Sequence, residues 1–221
     1  AWKDREIVQK LPLINLENIL YFGYKGASPA LLGACAERNI GFCFLTNNGR
    51  FLARVCGQSR GNVLLRKEQY RWADDLQKCV KMASFFLIGK IYNARSVIMR
   101  MLRDHPLSVD QKLFSETIEQ LLHSIKEISK VQTLEELRGI EGNAAQIYFS
   151  VFNQMILQDK KSFFFDGRIK RPPEDRINAL LSFTYTILSH DCASALEAVG
   201  IDAYVGFLHR DRPGRESLAL D

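Results

Sequence analysis

The sequence predicts an α+β protein: a small β-rich N-terminal domain, residues 1–62, followed by a larger all-helical domain, residues 63–221. Two observations carry this. Up to about position 55 the apolar residues come in short runs broken by glycine, proline and asparagine, the pattern of strands joined by turns. From Val63 onward they recur at roughly helical spacing over long stretches. The chain shows no internal repeat and no linker rich in proline, glycine or serine.

In chain order, residues 7–8, 11–13 and 19–22 read as short strands, punctuated by Gly23 and Gly26. Ser28 and Pro29 open a short helix. The hydroxyl can cap it, and a proline at the first helical position gives up an N–H that has no partner there anyway. That helix runs over 30–38 and stops at Asn39. Residues 40–45 form a buried apolar strand, Asn47-Asn48-Gly49 is a hairpin turn, and residues 51–55 alternate and pair back. Residues 63–102 are too long a run for one ordinary helix, so a break near Gly89 or a pair of helices is expected. Residues 108–131 form the next helix, with Leu113, Ile118, Leu121, Leu122, Ile125 and Ile128 on one face. Thr133 and Glu136 make a capping box for a short helix over 133–137. Gly139 should end it, and a separate helix should start near Glu141 and run to 157. Residues 163–171 read as a basic-aromatic loop closed by Pro172-Pro173. Residues 175–199 make one or two amphipathic helices stopped by Gly200. Residues 206–214 are loop, and residues 217–221 open one more helix.

Composition narrows the class. The 221 residues are 47% hydrophobic and 25% charged, which is ordinary for a globular protein and excludes a collagen-like or largely disordered chain. No apolar run approaches the roughly 20 residues of a membrane-spanning helix; residues 84–89 come nearest, between Lys81 and Lys90. The five cysteines are Cys35, Cys43, Cys56, Cys79 and Cys192, an odd number with no C-x-x-C spacing. They read as small buried hydrophobes in a reducing cytoplasm rather than as a disulfide framework or a zinc site. The start at Ala1, with no apolar signal core, and the stop inside a nascent helix read as a fragment cut at both ends.

Three constellations could carry chemistry. Between positions 50 and 71, Arg50, Arg54, Arg60, Arg66, Lys67 and Arg71 face a single acid, Glu68. The local excess equals the +5 net charge of the whole chain. This suits a phosphate-binding stripe, although a solvated strand edge explains such charges more often. Second, Glu141 stands in Gly139-Ile140-Glu141-Gly142-Asn143-Ala144-Ala145. It is expected at a helix start, among small residues that let a bulky anion approach, though a plain first-turn acid would look the same. Third, His209 lies in a turn with Arg210, Arg212 and Arg215. A helix begun by Pro213 would place Asp221 about two turns in. One imidazole with carboxylates suits Mn²⁺ or Mg²⁺ better than zinc, and the arginines suit a phosphate-bearing substrate. His105, His123 and His190 have no comparable surroundings. No G-x-S-x-G, G-x-x-x-x-G-K or G-x-G-x-x-G motif is present.

Taken together, several segments resemble one family. They are FGYKGASPALL (22–32), CAERNIGFCFL, NGRFLARV, GNVLLRKEQYR, GIEGNAAQIYF, DGRIKRPPEDRINALLSFTYTIL and GFLHRDRPGRESLALD. In wording, order and spacing they resemble Cas1, the CRISPR-associated endonuclease and integrase of spacer acquisition, in its type I-C variety. The resemblance implies a β-rich N-terminal domain that dimerises and an all-helical catalytic domain. It implies a metal site on Glu141, His209 and Asp221, holding Mg²⁺ or Mn²⁺, with Asn178 and Arg212 near it. Arg54, Arg66 and Arg212 would meet DNA. The implied reaction is transesterification: a prespacer 3′-hydroxyl attacks a phosphodiester at the leader–repeat junction. The implied partners are double-stranded DNA (prespacer and CRISPR repeat), a second copy of the chain, the small adaptation protein Cas2 and a DNA-end-processing nuclease, with no membrane. The resemblance also implies further strands before Ala1, a helical tail after Asp221 and another acidic residue one turn beyond it. The alternatives are a non-catalytic DNA-binding scaffold and a metal-dependent nucleotide phosphohydrolase.

Overall fold

The computed structural model describes residues 2–3, 6–7, 9–55, 57, 63–169 and 172–221. Val8, Cys56, Arg60 and Arg171, named above, lie outside the described residues. Strands β1 (Trp2–Lys3) and β2 (Glu6–Ile7) pair antiparallel. Residues 11–13 are not a strand as expected. Leu13–Asn15 form a 3-10 turn in which Asn15 and Leu16 donate back to the carbonyls of Pro12 and Leu13. Pro12 has no N–H to offer a ladder.

A three-stranded sheet follows, ordered β3 (Asn18–Phe22), β4 (Gly41–Leu45), β5 (Phe51–Val55). Between β3 and β4 runs α1 (Pro29–Glu37). The Ser28 hydroxyl accepts from the Leu31 N–H at 3.2 Å, and the helix stops where Asn39 turns left-handed at φ 56°. This crossover makes β3 and β4 parallel, Asn18 beside Gly41 through Phe22 beside Leu45. The expected hairpin then returns β5 antiparallel, turning at Gly49 with φ 80°. Both α1 and α6 (Arg176–Ala198) pack on β4, which accounts for its burial.

The helical region begins with α2 (Val63–Ala73) and α3 (Leu76–Asp104). The break falls at Asp74 and Asp75, not at Gly89. Asp75 caps the new helix by accepting from the N–H groups of Gln77 and Lys78, whereas Gly89 sits inside the 29-residue α3. An interior glycine costs only about 1 kcal/mol, less than burial of Leu87, Ile91 and Ile98 along the same helix returns. Next come α4 (Gln111–Ile128), capped by Asp110, and α5 (Leu134–Ser150). The Thr133–Glu136 capping box forms as expected. Gly139 does not end the helix, however, and the two helices expected on either side of it are one. The packing of Leu137 and Ala144 into the core spans that glycine. Beyond α6, capped by Asp175, a long loop leads to the short α7 (Ser217–Leu220).

Helices α3, α4 and α5 pack together around Leu87, Ile98, Phe114, Leu121, Leu137 and Val151. One residue from far along the chain, Leu208, completes this core at 4% exposure. Among the described residues, no helix is long and apolar enough to cross a membrane. We expect Thr133→Ala to cost about 1 kcal/mol in thermal or urea denaturation, because the N–H of Glu136 loses its cap.

Candidate active site

Burial of Phe207 and Leu208 draws the 206–209 segment inward and leaves His209, at 30% side-chain exposure, as its partly open tip. The backbone there forms a concave run of three N–H donors, and Asp221 fills it. One carboxylate oxygen, Oδ2, accepts from the N–H groups of Phe207 (2.6 Å) and Leu208 (3.0 Å). The other, Oδ1, accepts from the His209 N–H (2.8 Å) and from its ring Nδ1 (2.7 Å). A carboxylate only accepts, so Nδ1 carries the proton, which makes Nε2 the lone-pair nitrogen of the neutral ring. Asp221 therefore sets the tautomer and the ring orientation of His209. Its side chain is 0% exposed.

Asp221 does not lie two turns into a helix begun by Pro213, as expected. Residues 210–216 stay in loop, and Asp221 closes α7 at its C-terminal end. Gly206 makes the close approach possible. A Cβ there would stand 2.8 Å from the Ser217 Cβ and 2.9 Å from the His209 carbonyl oxygen. We expect Gly206→Ala to cost about 1–3 kcal/mol and to shift the imidazole signals of His209 in NMR spectra, since the clash falls on the His209 carbonyl and on Ser217 at the start of α7. The neighbouring loop is held by Gln69 of α2, whose amide bonds to backbone groups of Asp202 and Val205.

Glu141 lies in the middle of α5, not in its first turn. Its carboxylate, 24% exposed, pairs with Lys90 of α3. One turn earlier, Arg138 donates through Nη2 to the Leu208 carbonyl at 2.6 Å. The helix carrying Glu141 and the loop carrying His209 are thus tied one residue from the histidine. Sequence reasoning missed Arg138 and Lys90; each is one basic residue among 30, marked by no spacing.

The other expected site residues are scattered. Arg54 does not present its charge to solvent. Its side chain is 8% exposed, with Nη2 2.5 Å from Glu197 and Nη1 3.2 Å from Glu216. Arg66 donates from Nε to the Gly200 carbonyl, just past the end of α6. Asn178 is fully buried as a latch. Its oxygen accepts from Arg168 and from the Ile169 N–H, and its amide donates to Gly167 and Asp175. It holds the 167–169 loop to the start of α6. Arg212 is exposed, on the loop that follows His209.

His190, set aside on sequence grounds, sits 14% exposed, stacked on Phe51 and 3.6 Å from Glu216. Burial, opposed in part by Glu216, holds its imidazole below the usual histidine range, with Arg54 adding to the depression. Its neutral form is the one the fold favours. The stability it contributes is complete above the ordinary histidine pKa of about 6.5 and is lost as pH falls below it. We expect His190→Gln to flatten the loss of thermal stability between about pH 7 and pH 5.5. Cys35, Cys43, Cys79 and Cys192 are free thiols, and burial raises the pKa of each.

The donor set fits a hard divalent cation in part. Glu141 offers a carboxylate already turned to a positive charge, and His209 offers Nε2 with its other nitrogen fixed. Asp221 does not fit as a ligand, because four donors fill its two oxygens. Among the described residues, no three histidine, cysteine, aspartate or glutamate side chains converge to hold a metal.

Comparison with known proteins gives the family. A family model described as "CRISPR associated protein Cas1" matches residues 1–221. The chain is similar to a CRISPR-associated endonuclease Cas1 of Chlorobaculum tepidum, 48% identical over 218 residues, which is 99% of this chain and 64% of that protein. A casposase bound to integration product is similar at 25% identity with a TM-score of 0.74, over 92% of this chain and 55% of that one. A partial Cas6-RT-Cas1–Cas2 complex is similar at 25% identity with a TM-score of 0.67, over 100% of this chain and 64% of that one. The chain spans 62–64% of the length of three curated relatives that it matches.

Proposed function

Since the chain belongs to the CRISPR-associated protein Cas1 family, we propose that it acts as the metal-dependent DNA endonuclease and integrase of spacer acquisition. The single observation that carries this reading is the seam between Glu141 and His209. Arg138 ties helix α5 to the loop whose imidazole is aimed by Asp221. The wording of the motifs supports the type I-C variety.

In this reading Glu141 and His209 Nε2 would hold Mg²⁺ or Mn²⁺. When bound, the ion supplies charge stabilisation at the phosphoryl oxygens of the reacting phosphodiester. Asp221 keeps the imidazole protonated at Nδ1, so Nε2 stays an electron-pair donor. The exposed guanidinium groups of Arg210 and Arg212 pair with DNA phosphates and fix the strand beside the site. The prespacer 3′-hydroxyl then displaces the leaving 3′-oxygen at the leader–repeat junction. Arg66, on α2 and bonded to the Gly200 carbonyl just past α6, would add a phosphate contact. Arg54 instead holds β5 to α6 and to Glu216, and Asn178 shapes the loop before α6.

The catalytic region is residues 63–221, and the sheet of residues 1–62 provides the homodimer surface. We place the reaction in the cytoplasm, with Cas2 bridging two dimers and an end-processing nuclease trimming the DNA. A second reading, a DNA-binding scaffold without chemistry, draws on one observation: among the described residues no group of three or more histidine, cysteine, aspartate or glutamate side chains could hold a metal. The test is joining of a short duplex to a supercoiled plasmid in the presence of Cas2. The integrase reading expects manganese-dependent joining that His209→Ala abolishes while salt-sensitive DNA binding persists. DNA binding without any joining, indifferent to cation and to His209→Ala, would favour the scaffold.

A further inference from the structure

We propose that Lys90 is the resident counter-ion of Glu141: it holds that carboxylate in the cation-free protein, competes with a divalent cation for it, and on release turns its ammonium to the DNA phosphate. The inference rests on the cation reading above and adds a residue to it.

The pair joins two helices through residues 51 positions apart. Neighbours Leu87 and Ile91 carry the packing of α3 against the core, while Lys90 itself stays 52% exposed at the rim. An ion pair this open contributes about 0–1 kcal/mol to a fold, so stability alone gives it little purpose. Its surroundings point elsewhere. Gly89, beside Lys90, and Gly139 and Gly142, flanking Glu141, are all exposed, and a Cβ built on any of them meets nothing within 4 Å. Interior helix glycines cost about 1 kcal/mol each relative to alanine, and here no packing requires them. Gly89 and Gly142, next in the chain to the paired residues, leave the edge of the ion pair without side-chain cover.

Charge then sets the competition. While Nζ rests on Oε1, Glu141 cannot give both oxygens to a cation, and the ammonium repels the cation as well. Arg138, one turn away, is engaged by Glu135 and the Leu208 carbonyl and so does not replace Lys90. The lysine stem is flexible and its head a compact point charge. Once displaced, it stays within reach of a phosphate drawn to the same cation, where positive charge is most useful.

The experiment measures Mn²⁺ binding by calorimetry and DNA joining at saturating Mn²⁺, for the natural sequence, Lys90→Met and Lys90→Arg. Lys90→Met should bind Mn²⁺ roughly tenfold tighter yet join DNA roughly tenfold more slowly, with Lys90→Arg close to the natural protein in both. These opposite signs are what a merely structural pair would not produce. If the natural protein binds Mn²⁺ and Lys90→Met binds it no tighter, the counter-ion role is overturned while the cation site stands. If neither protein binds Mn²⁺, the cation reading falls, and the counter-ion role with it.

Discussion

Replacing Asp221 with alanine is expected to lower the melting temperature by about 10 °C and to erase DNA joining. The magnitude follows from what the carboxylate does. It is the acceptor for the N–H groups of Phe207, Leu208 and His209, in a segment where Phe207 and Leu208 are buried. Three orphaned donors cost about 1–3 kcal/mol each when water cannot replace the partner, and in a chain this long each kcal/mol moves the melting temperature by about 2–4 °C. The imidazole also loses the partner that keeps the proton on Nδ1. Nitrogen NMR of His209 should show a mixture of tautomers where the natural protein shows one. Asp221→Asn preserves shape but aims an amide N–H₂ at a backbone donor, so it should fall between the two in stability. An Asp221→Ala protein that melts at the natural temperature, with an unchanged His209 spectrum, would refute the positioning role.

Glu141→Gln should behave in the opposite way. The side chain is part of an exposed ion pair with Lys90 rather than of the core, so stability should change by no more than about 0.5 kcal/mol. Joining should fall about a thousandfold, because a neutral amide cannot hold the cation that offsets several kcal/mol of developing charge. Measured together, the two variants separate a residue that builds the site from one that works in it. A Glu141→Gln protein that joins DNA within tenfold of the natural rate would remove Glu141 from the reaction.

The fold was largely legible from local chemistry. The Ser28-Pro29 start, the left-handed Asn39, the Asn47-Asn48-Gly49 turn and the Thr133–Glu136 capping box all depend on residues within four positions of one another. The errors at Gly89 and Gly139 share one cause. A glycine is read as a stop when only its neighbours are weighed, yet core burial along α3 and α5 exceeds its small intrinsic cost. Residues 11–13 misled because an apolar triplet looks like a strand until Pro12 is counted as a missing donor.

Site residues were legible as names and not as roles. Glu141, His209 and Asp221 could be picked from motif wording, and Arg54 from a run of positive charge. No local rule could say that Arg54 is matched inside the protein by Glu197 and Glu216, more than 140 residues away. Nor could one say that His190 stacks on Phe51. The amino-acid sequence by itself determined the α+β class, most of the strands and helices and the family, because periodicity, capping and motif wording act over short stretches of chain. The tertiary structure alone decided that Asp221 aims His209, that Arg138 ties the histidine loop to α5, and that Lys90 stands on Glu141. Those are meetings of hydrogen-bonding and charged groups across long loops, and their energies exist only once burial has brought distant segments together.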